Sequence, residues 1–153
     1  MEIFQRNSIY ELIKGTGKIK EYNDNGELEF EGEYLNGKRN GKGKEYSKYG
    51  KLRFEGEYIN DKEWIGTKYD NDGKLIFEGE YLNGQRNGKG KEYNNFGKLI
   101  FNGKYLADKR YNGKYYDKEN NHYYQLKRGN GYGEEFYYDN GKLKFVGEYL
   151  FKW

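Results

Sequence analysis

The chain has 153 residues, 35% of them charged and 34% hydrophobic, with a formal net charge of +3. It has no cysteine and one histidine, His122, which excludes a disulfide framework, a thiolate metal site and a cysteine nucleophile. Nineteen tyrosines and nine phenylalanines are too many rings for a disordered chain, so a folded chain with an aromatic rather than aliphatic interior is expected.

No apolar run approaches the ~18 residues needed to span a bilayer. The first residues, Met1-Glu-Ile-Phe-Gln-Arg6, lack the basic and apolar regions of a signal peptide. A cytoplasmic protein is expected, with a peripheral place at a membrane as the variant.

The first clear element is Leu28-Glu-Phe-Glu-Gly-Glu-Tyr34. Leu28, Phe30, Gly32 and Tyr34 share one face, and Glu29, Glu31 and Glu33 share the other, which is the alternation of a half-buried strand. Residues 36–41 read as a turn, and 43–46 as a short strand. A second turn at Tyr49-Gly50 leads to the next long strand, 52–58. The same cycle predicts long strands at 75–81, 99–105 and 143–149. Asn25-Gly26 and Asp72-Gly73, set between alternating segments, are hairpin signals. No stretch shows helical periodicity.

The chain repeats itself, and the repeat governs the fold. Residues 32–66 laid on 79–113 give 23 identities in 35 positions. A strand glycine recurs at Gly32, Gly56, Gly79 and Gly103, and a second at Gly43, Gly66, Gly90 and Gly113. The unit is therefore about 23 residues, in segments 10–36, 37–60, 61–83, 84–107, an expanded 108–130 and 131–153. All are expected to form one repeat domain, 1–153. The expansion, over 111–133, is expected to add a hairpin. The pattern of residues 10–17 restarts at 124–131, as in an array that could be extended or cut from a longer one. Glycine is costly inside a strand. On the aromatic face it leaves room for a ring of the neighbouring strand, and a ladder of offset rings lying over glycines is expected.

Phe30-Glu-Gly-Glu-Tyr-Leu-Asn-Gly-Lys-Arg-Asn-Gly-Lys-Gly43 and its copy at 77–90 resemble the MORN repeat, roughly Y-x-G-x-W-x-N-G-x-x-x-G-x-G-x-Y. The resemblance covers about residues 15–151. It implies a single-layer antiparallel sheet of stacked hairpins used for scaffolding, dimerisation or membrane contact. The tryptophan position is tyrosine here (Tyr34, Tyr58, Tyr81, Tyr105, Tyr149), and the turn glycine lies six residues before the next motif glycine rather than the family's usual five (Gly50 to Gly56). The G-K-L-x-F-x-G variant is also similar to the bacterial MORN-like YwqK-type antitoxin proteins.

Chemistry has few candidates. Carboxylate pairs Glu31/Glu33, Glu55/Glu57 and Glu78/Glu80 recur on one face. General acid–base catalysis needs two carboxylates in different environments, so a solvated face balanced by lysines is expected and no catalytic residue. Segment 37–43 lacks the spacing of a phosphate-binding loop and precedes no helix, so no nucleotide or other cofactor is expected. His122 has no second ligand of its kind, so no metal is expected.

Five cations, Lys38, Arg39, Arg86, Lys109 and Arg110, occupy equivalent turn positions along one sheet edge. They are either ordinary solvated residues or an anion-binding edge, diluted by Asp61, Glu63 and Asp108. Trp64 and Tyr111 lie 47 apart, where intervening units have Gly41 and Gly88. They read as local packing or as interface anchors, since Trp, Tyr and Arg are enriched at hot spots. The slight net charge disfavours nucleic acid. Segment 146–153 is apolar, so the terminal strands offer self-association.

The sequence reading is thus an all-β, elongated, single-layer antiparallel array of hairpins. Its expected function is a non-enzymatic scaffold binding a protein through a repeated aromatic and basic surface. The alternatives are a peripheral module for anionic phospholipid headgroups and an antitoxin-like neutralising protein.

Overall fold

The computed structural model describes residues 15–116, 123–127, 130–136 and 143–149. Every regular element among them is a strand. The chain divides into two compact units, Met1–Leu75 and Ile76–Trp153. The first holds β1 (Gly17–Tyr22), β2 (Leu28–Leu35), β3 (Lys38–Tyr46), β4 (Leu52–Ile59) and β5 (Lys62–Tyr69). The second holds β6 (Leu75–Leu82), β7 (Gln85–Tyr93), β8 (Leu99–Leu106), β9 (Lys109–Tyr116), β10 (Tyr123–Lys127), β11 (Asn130–Phe136) and β12 (Leu143–Tyr149). Within each unit every strand runs antiparallel to the one before it, in one layer.

The long strands fall where the alternation predicted them. The short strands are longer than expected. β3 begins at Lys38 rather than Gly43, because the 36–41 stretch is a tight turn of only two residues, Asn36 and Gly37, with φ of 52° and 78°. Both left-handed values belong to the turn type whose twist matches a hairpin. Residues 38–41 then pair back through a bulge: Gly32 faces Gly43 but Tyr34 faces Arg39. In the alternate hairpins the bulge is shorter and holds Trp64 or Tyr111. Over 111–133 the described strands β9, β10 and β11 keep the regular alternation. The segments 117–122 and 128–129, where the expected extra hairpin would enter, lie outside the described residues. So do His122, Phe151 and Trp153.

At the opposite edge Asn23, Ser47, Asp70 and Asn94 each open a turn closed by Gly26, Gly50, Gly73 or Gly97. The Asn23 side-chain oxygen accepts from the amides of Asn25 and Glu27, and Asp70 and Asn94 do the same. This is the local side-chain mimicry of a turn that favours Asx and Ser.

The core is one face of the sheet. Phe30, Phe54, Phe77 and Phe101 are fully buried, as are Tyr58, Tyr81 and Tyr105 to within a few per cent, while Tyr34 is half-buried. The ladder is therefore as expected in register. Its rings meet edge to face rather than offset, with Phe30–Tyr58 centroids 5.2 Å apart at 88° and Phe77–Tyr105 5.1 Å apart at 88°. Each phenylalanine covers the glycine of its own strand and that of the next. A Cβ on Gly32 or Gly43 would lie 2.6 Å from the Phe30 ring.

Candidate functional site

The two faces of the sheet do different work. The ring face is closed by arginine. Arg39 lies 4.1 Å from the Phe30 centroid, Arg86 4.5 Å from Phe77 and Arg110 5.4 Å from Phe101, geometries of cation–π contact. Each is also ion-paired on that face. Arg39 donates from Nε (3.1 Å) and Nη2 (2.7 Å) to Glu21. Arg110 donates likewise to Glu92 at 2.9 and 2.8 Å, and Arg86 reaches the same Glu92 at 3.5 Å. Burial works against the Arg39 charge, and the Glu21 carboxylate more than offsets it.

Of the five cations expected along the edge, the three arginines therefore turn inward onto rings. Arg86 and Arg110 meet on Glu92. Lys38 and Lys109 stay exposed at the starts of β3 and β9. Trp64 is 47% exposed, whereas Tyr111 is half-buried. Asp61 and Asp108, expected to dilute the cation row, bind backbone instead. The Asp61 carboxylate accepts from the Arg39 amide at 2.8 Å and its own amide donates to the Arg39 carbonyl at 3.0 Å. Asp108 does the same with Arg86. These hooks fasten one hairpin tip to the strand before it.

The glutamates Glu21, Glu45 and Glu92 were not singled out from the sequence. The signal was present: Glu45 and Glu92 lie two residues beyond Gly43 and Gly90, on the ring face.

The other face carries the repeated carboxylates with lysines between them. Glu31 pairs with Lys20 at 3.5 Å and accepts from the Tyr46 hydroxyl at 2.6 Å. Glu55 pairs with Lys44 at 3.1 Å. Glu78 pairs with Lys91 at 2.8 Å and accepts from Tyr93 at 2.7 Å. In two of the three pairs the second glutamate caps a bulge: Glu33 accepts from the Lys42 amide at 2.9 Å and Glu80 from the Lys89 amide at 3.1 Å. The Tyr46 hydrogen bond holds the Glu31 carboxyl below its ordinary 4.5, and those of Lys91 and Tyr93 do so for Glu78.

Stabilisation from a lowered carboxyl is present above the unfolded value and is lost as pH falls through the folded one. The melting temperature is expected to drop as pH is lowered below about 4.5, and less steeply in Glu78→Gln. A melting temperature flat down to pH ~3 would contradict these pairings.

In the first unit this charged face is concave. A trough of about 800 Å³ runs over it. Its floor is Gly32, Gly43 and Gly56, and its sides are lysine and glutamate stems. Ile65 closes one end. Ile59 (43% exposed), Trp64 and Ile65 (41%) lie together on the β4–β5 hairpin.

Glu63, beside Tyr58 on the ring face, is pushed up by burial, with Lys68 at 3.1 and 3.2 Å on its two oxygens opposing. It does not line the trough. Among the described residues, no group of three His, Cys, Asp or Glu side chains is placed to hold a metal ion, and no helix is long and apolar enough to cross a membrane.

A hairpin unit repeated about every 23 residues, with rings sealed on one face and charge arrayed on the other, defines a β-hairpin repeat protein. The family model for the MORN repeat matches residues 30–51 and 77–99. These two segments carry MORN repeats, and such repeats are in general modules of protein or membrane interaction. No curated protein matches the chain.

Proposed function

We propose that the chain is a non-enzymatic scaffold that binds a protein partner across its glycine-floored face, with Trp64 and Ile65 as apolar anchors. The observation that carries this reading is the trough of the first unit, which ends at a cluster of exposed Ile59, Trp64 and Ile65. Isolated exposed apolar residues need no explanation, but a rim of them beside a concave surface is the usual form of an interaction site. The ring face is spent on its own packing, so binding falls to the opposite side. Glu31 and Glu78 sit in the same kind of hydrogen-bonded environment, which supports a structural rather than catalytic role.

A second reading has its own support. Exposed Leu35, Ile59 and Leu106 at the hairpin tips stand directly opposite Lys38, Lys62 and Lys109. An aliphatic beside a lysine at these three tips, though not at the β6–β7 tip where Leu82 faces Gln85, is a pattern that suits an anionic bilayer surface.

Two measurements separate them. In capture from a lysate, the proteins retained by the wild type are expected to be lost on Trp64→Ser/Ile65→Ser, with the melting temperature unchanged. Flotation with phosphatidylserine vesicles is expected to be negative. Flotation that is positive, falls with salt and is lost on Lys38→Glu/Lys109→Glu would reverse the order of the two readings.

A further inference from the structure

The walls of the first unit's trough are striped by charge. β1 gives them Lys18 and Lys20, β2 Glu31 and Glu33, β3 Lys42 and Lys44, and β4 Glu55 and Glu57. Each strand contributes one sign, and neighbouring strands contribute opposite signs. Strand pairing sets Lys20, Glu31, Lys44 and Glu55 side by side along one wall, and Lys18, Glu33, Lys42 and Glu57 along the other.

Cross-strand attraction accounts for the first row and not for the second. Lys20–Glu31 and Lys44–Glu55 close as ion pairs at 3.5 and 3.1 Å. In the second row Lys18 stands opposite Glu33 and Lys42 opposite Glu57. Yet among the described residues Lys18, Lys42 and Glu57 form no ion pair, and the Glu33 carboxylate is turned to the Lys42 amide. Nor does the sheet need the alternation in order to form. In the second unit Asn102 and Lys104 stand at the positions of Glu55 and Glu57. The reversed charge of Lys104 faces Lys89, although like charges directly opposite weaken a pair.

The order lysine, glutamate, lysine, glutamate is antisymmetric about its centre. A two-fold axis parallel to the strands, above the face and midway between β2 and β3, lays β1 over β4 of a second copy and β2 over its β3. Lysine then meets glutamate on every strand. The rotation leaves position along the strand unchanged, so Lys18 comes over Glu57 of the copy and Lys42 over its Glu33. The charges that close no ion pair within the sheet find their partners there. Self-complementarity of this kind is what an isologous dimer requires.

We propose that the charged face of β1–β4 associates with the same face of a second copy, through Lys18–Glu57 and Lys42–Glu33 ion pairs formed across a two-fold axis. This occupant rests on the reading of the trough as a protein-binding surface. The walls of the two copies meet while the concave floor between them stays open. β5, with Trp64 and Ile65, lies outside the four overlapped strands. Exposed ion pairs contribute little each, so the association is weak, with its register set by charge.

Sedimentation velocity of the full chain in low salt is the test. Wild type is expected to form a concentration-dependent dimer that dissociates as salt is added. Lys18→Glu and Glu57→Lys are each expected to raise the dimer dissociation constant roughly tenfold or more, because each sets two like-charged contacts across the axis. An equimolar mixture of the two variants is expected to dimerise as wild type does, since each reversed charge then meets the other. Circular dichroism melts show whether each variant is folded. Where a reversal does not fold, Lys18→Gln and Glu57→Gln replace it, each expected to weaken the dimer severalfold. Trp64→Ser/Ile65→Ser, which tests the apolar anchors, is expected to leave the dimer intact. The assignment is overturned if wild type stays monomeric up to its solubility limit, if the folded charge variants dimerise as wild type does, if the mixture stays monomeric, or if Trp64→Ser/Ile65→Ser abolishes the dimer. A monomeric wild type whose capture of lysate proteins depends on Trp64 and Ile65 overturns the second copy alone and leaves the protein-binding reading of the trough in place.

Discussion

Gly103→Ala is expected to remove most of the stability of the second unit, more than the loss of an entire ring beneath it. A Cβ at this position would lie 2.1 Å from the Asn112 carbonyl oxygen, 2.5 Å from the Gly113 Cα and 2.8 Å from the Phe101 ring. Two of these three atoms belong to the backbone of the paired strand, which cannot rotate away. The ladder must open there, and the hydrogen bonds and the buried Phe101 go with it. Phe101→Ala, a large-to-small change in a full core, should cost about 3–5 kcal/mol. Gly84→Ala is the contrast: nothing lies within 4 Å of its Cβ, and only the left-handed φ of +79° is strained, at about 1–2 kcal/mol. Thermal melts of the three variants should rank in that order. A Gly103→Ala protein that melts within a few degrees of wild type would mean that the strands part easily, and would refute the ladder as the source of rigidity.

Much of this was legible from the chain because two periods are superimposed. A period of two put Phe30, Gly32 and Tyr34 on one face, and a period near 23 repeated the choice. Together they fix the register of every long strand. What parity alone could not supply was the bulge. Gly41 looks like a turn glycine, and only its pairing shows it inside β3, with the Glu33 carboxylate filling the space a side chain would take. That is why β3 and β7 begin earlier than the sequence suggested.

The arginines lie over rings rather than along the edge for a related reason. Their place beside a turn suggested solvent or an anion-binding edge, but a guanidinium on a long stem can reach back over a ring of the adjacent strand, and Arg39 and Arg110 find a carboxylate one strand further on. Arg39 and Lys38 are adjacent in sequence and opposite in fate, because one falls on the ring face and the other does not. Trp64 was singled out as local packing or an interface anchor, and its ring is half exposed. Its neighbours Ile59 and Ile65 were not, since isolated aliphatics in a strand read as core. The charge reversal between units was visible in the alignment of 55 with 102 and 57 with 104. It has meaning only once register shows that Lys89 and Lys104 face each other.

Alkaline unfolding is expected to be steep and to coincide with tyrosine ionisation. Burial first, and then a hydrogen bond to Glu21, pushes Tyr34 up to about 12 from 10.0. Tyr46 and Tyr93 are likewise pushed up to about 12, by burial and then by Glu31 and Glu78. Tyr58 and Tyr105 are raised further, again by burial first, with Glu45 and Glu92 the largest charges. A tyrosine with a raised folded value contributes stability that is complete below the unfolded 10.0 and disappears as pH rises through the folded value. Each proton that the folded state holds and the unfolded state has lost steepens the decline by about 1.4 kcal/mol per pH unit. Several such tyrosines acting together exhaust a typical 5–15 kcal/mol within about one or two pH units. Far-ultraviolet circular dichroism and tyrosinate absorbance should therefore change in one step between about pH 10 and 12. Tyr93→Phe removes one of these protons and should make the step shallower. If the full tyrosinate absorbance develops while the strand signal is intact, the rings are not held by the sheet in the way their burial implies.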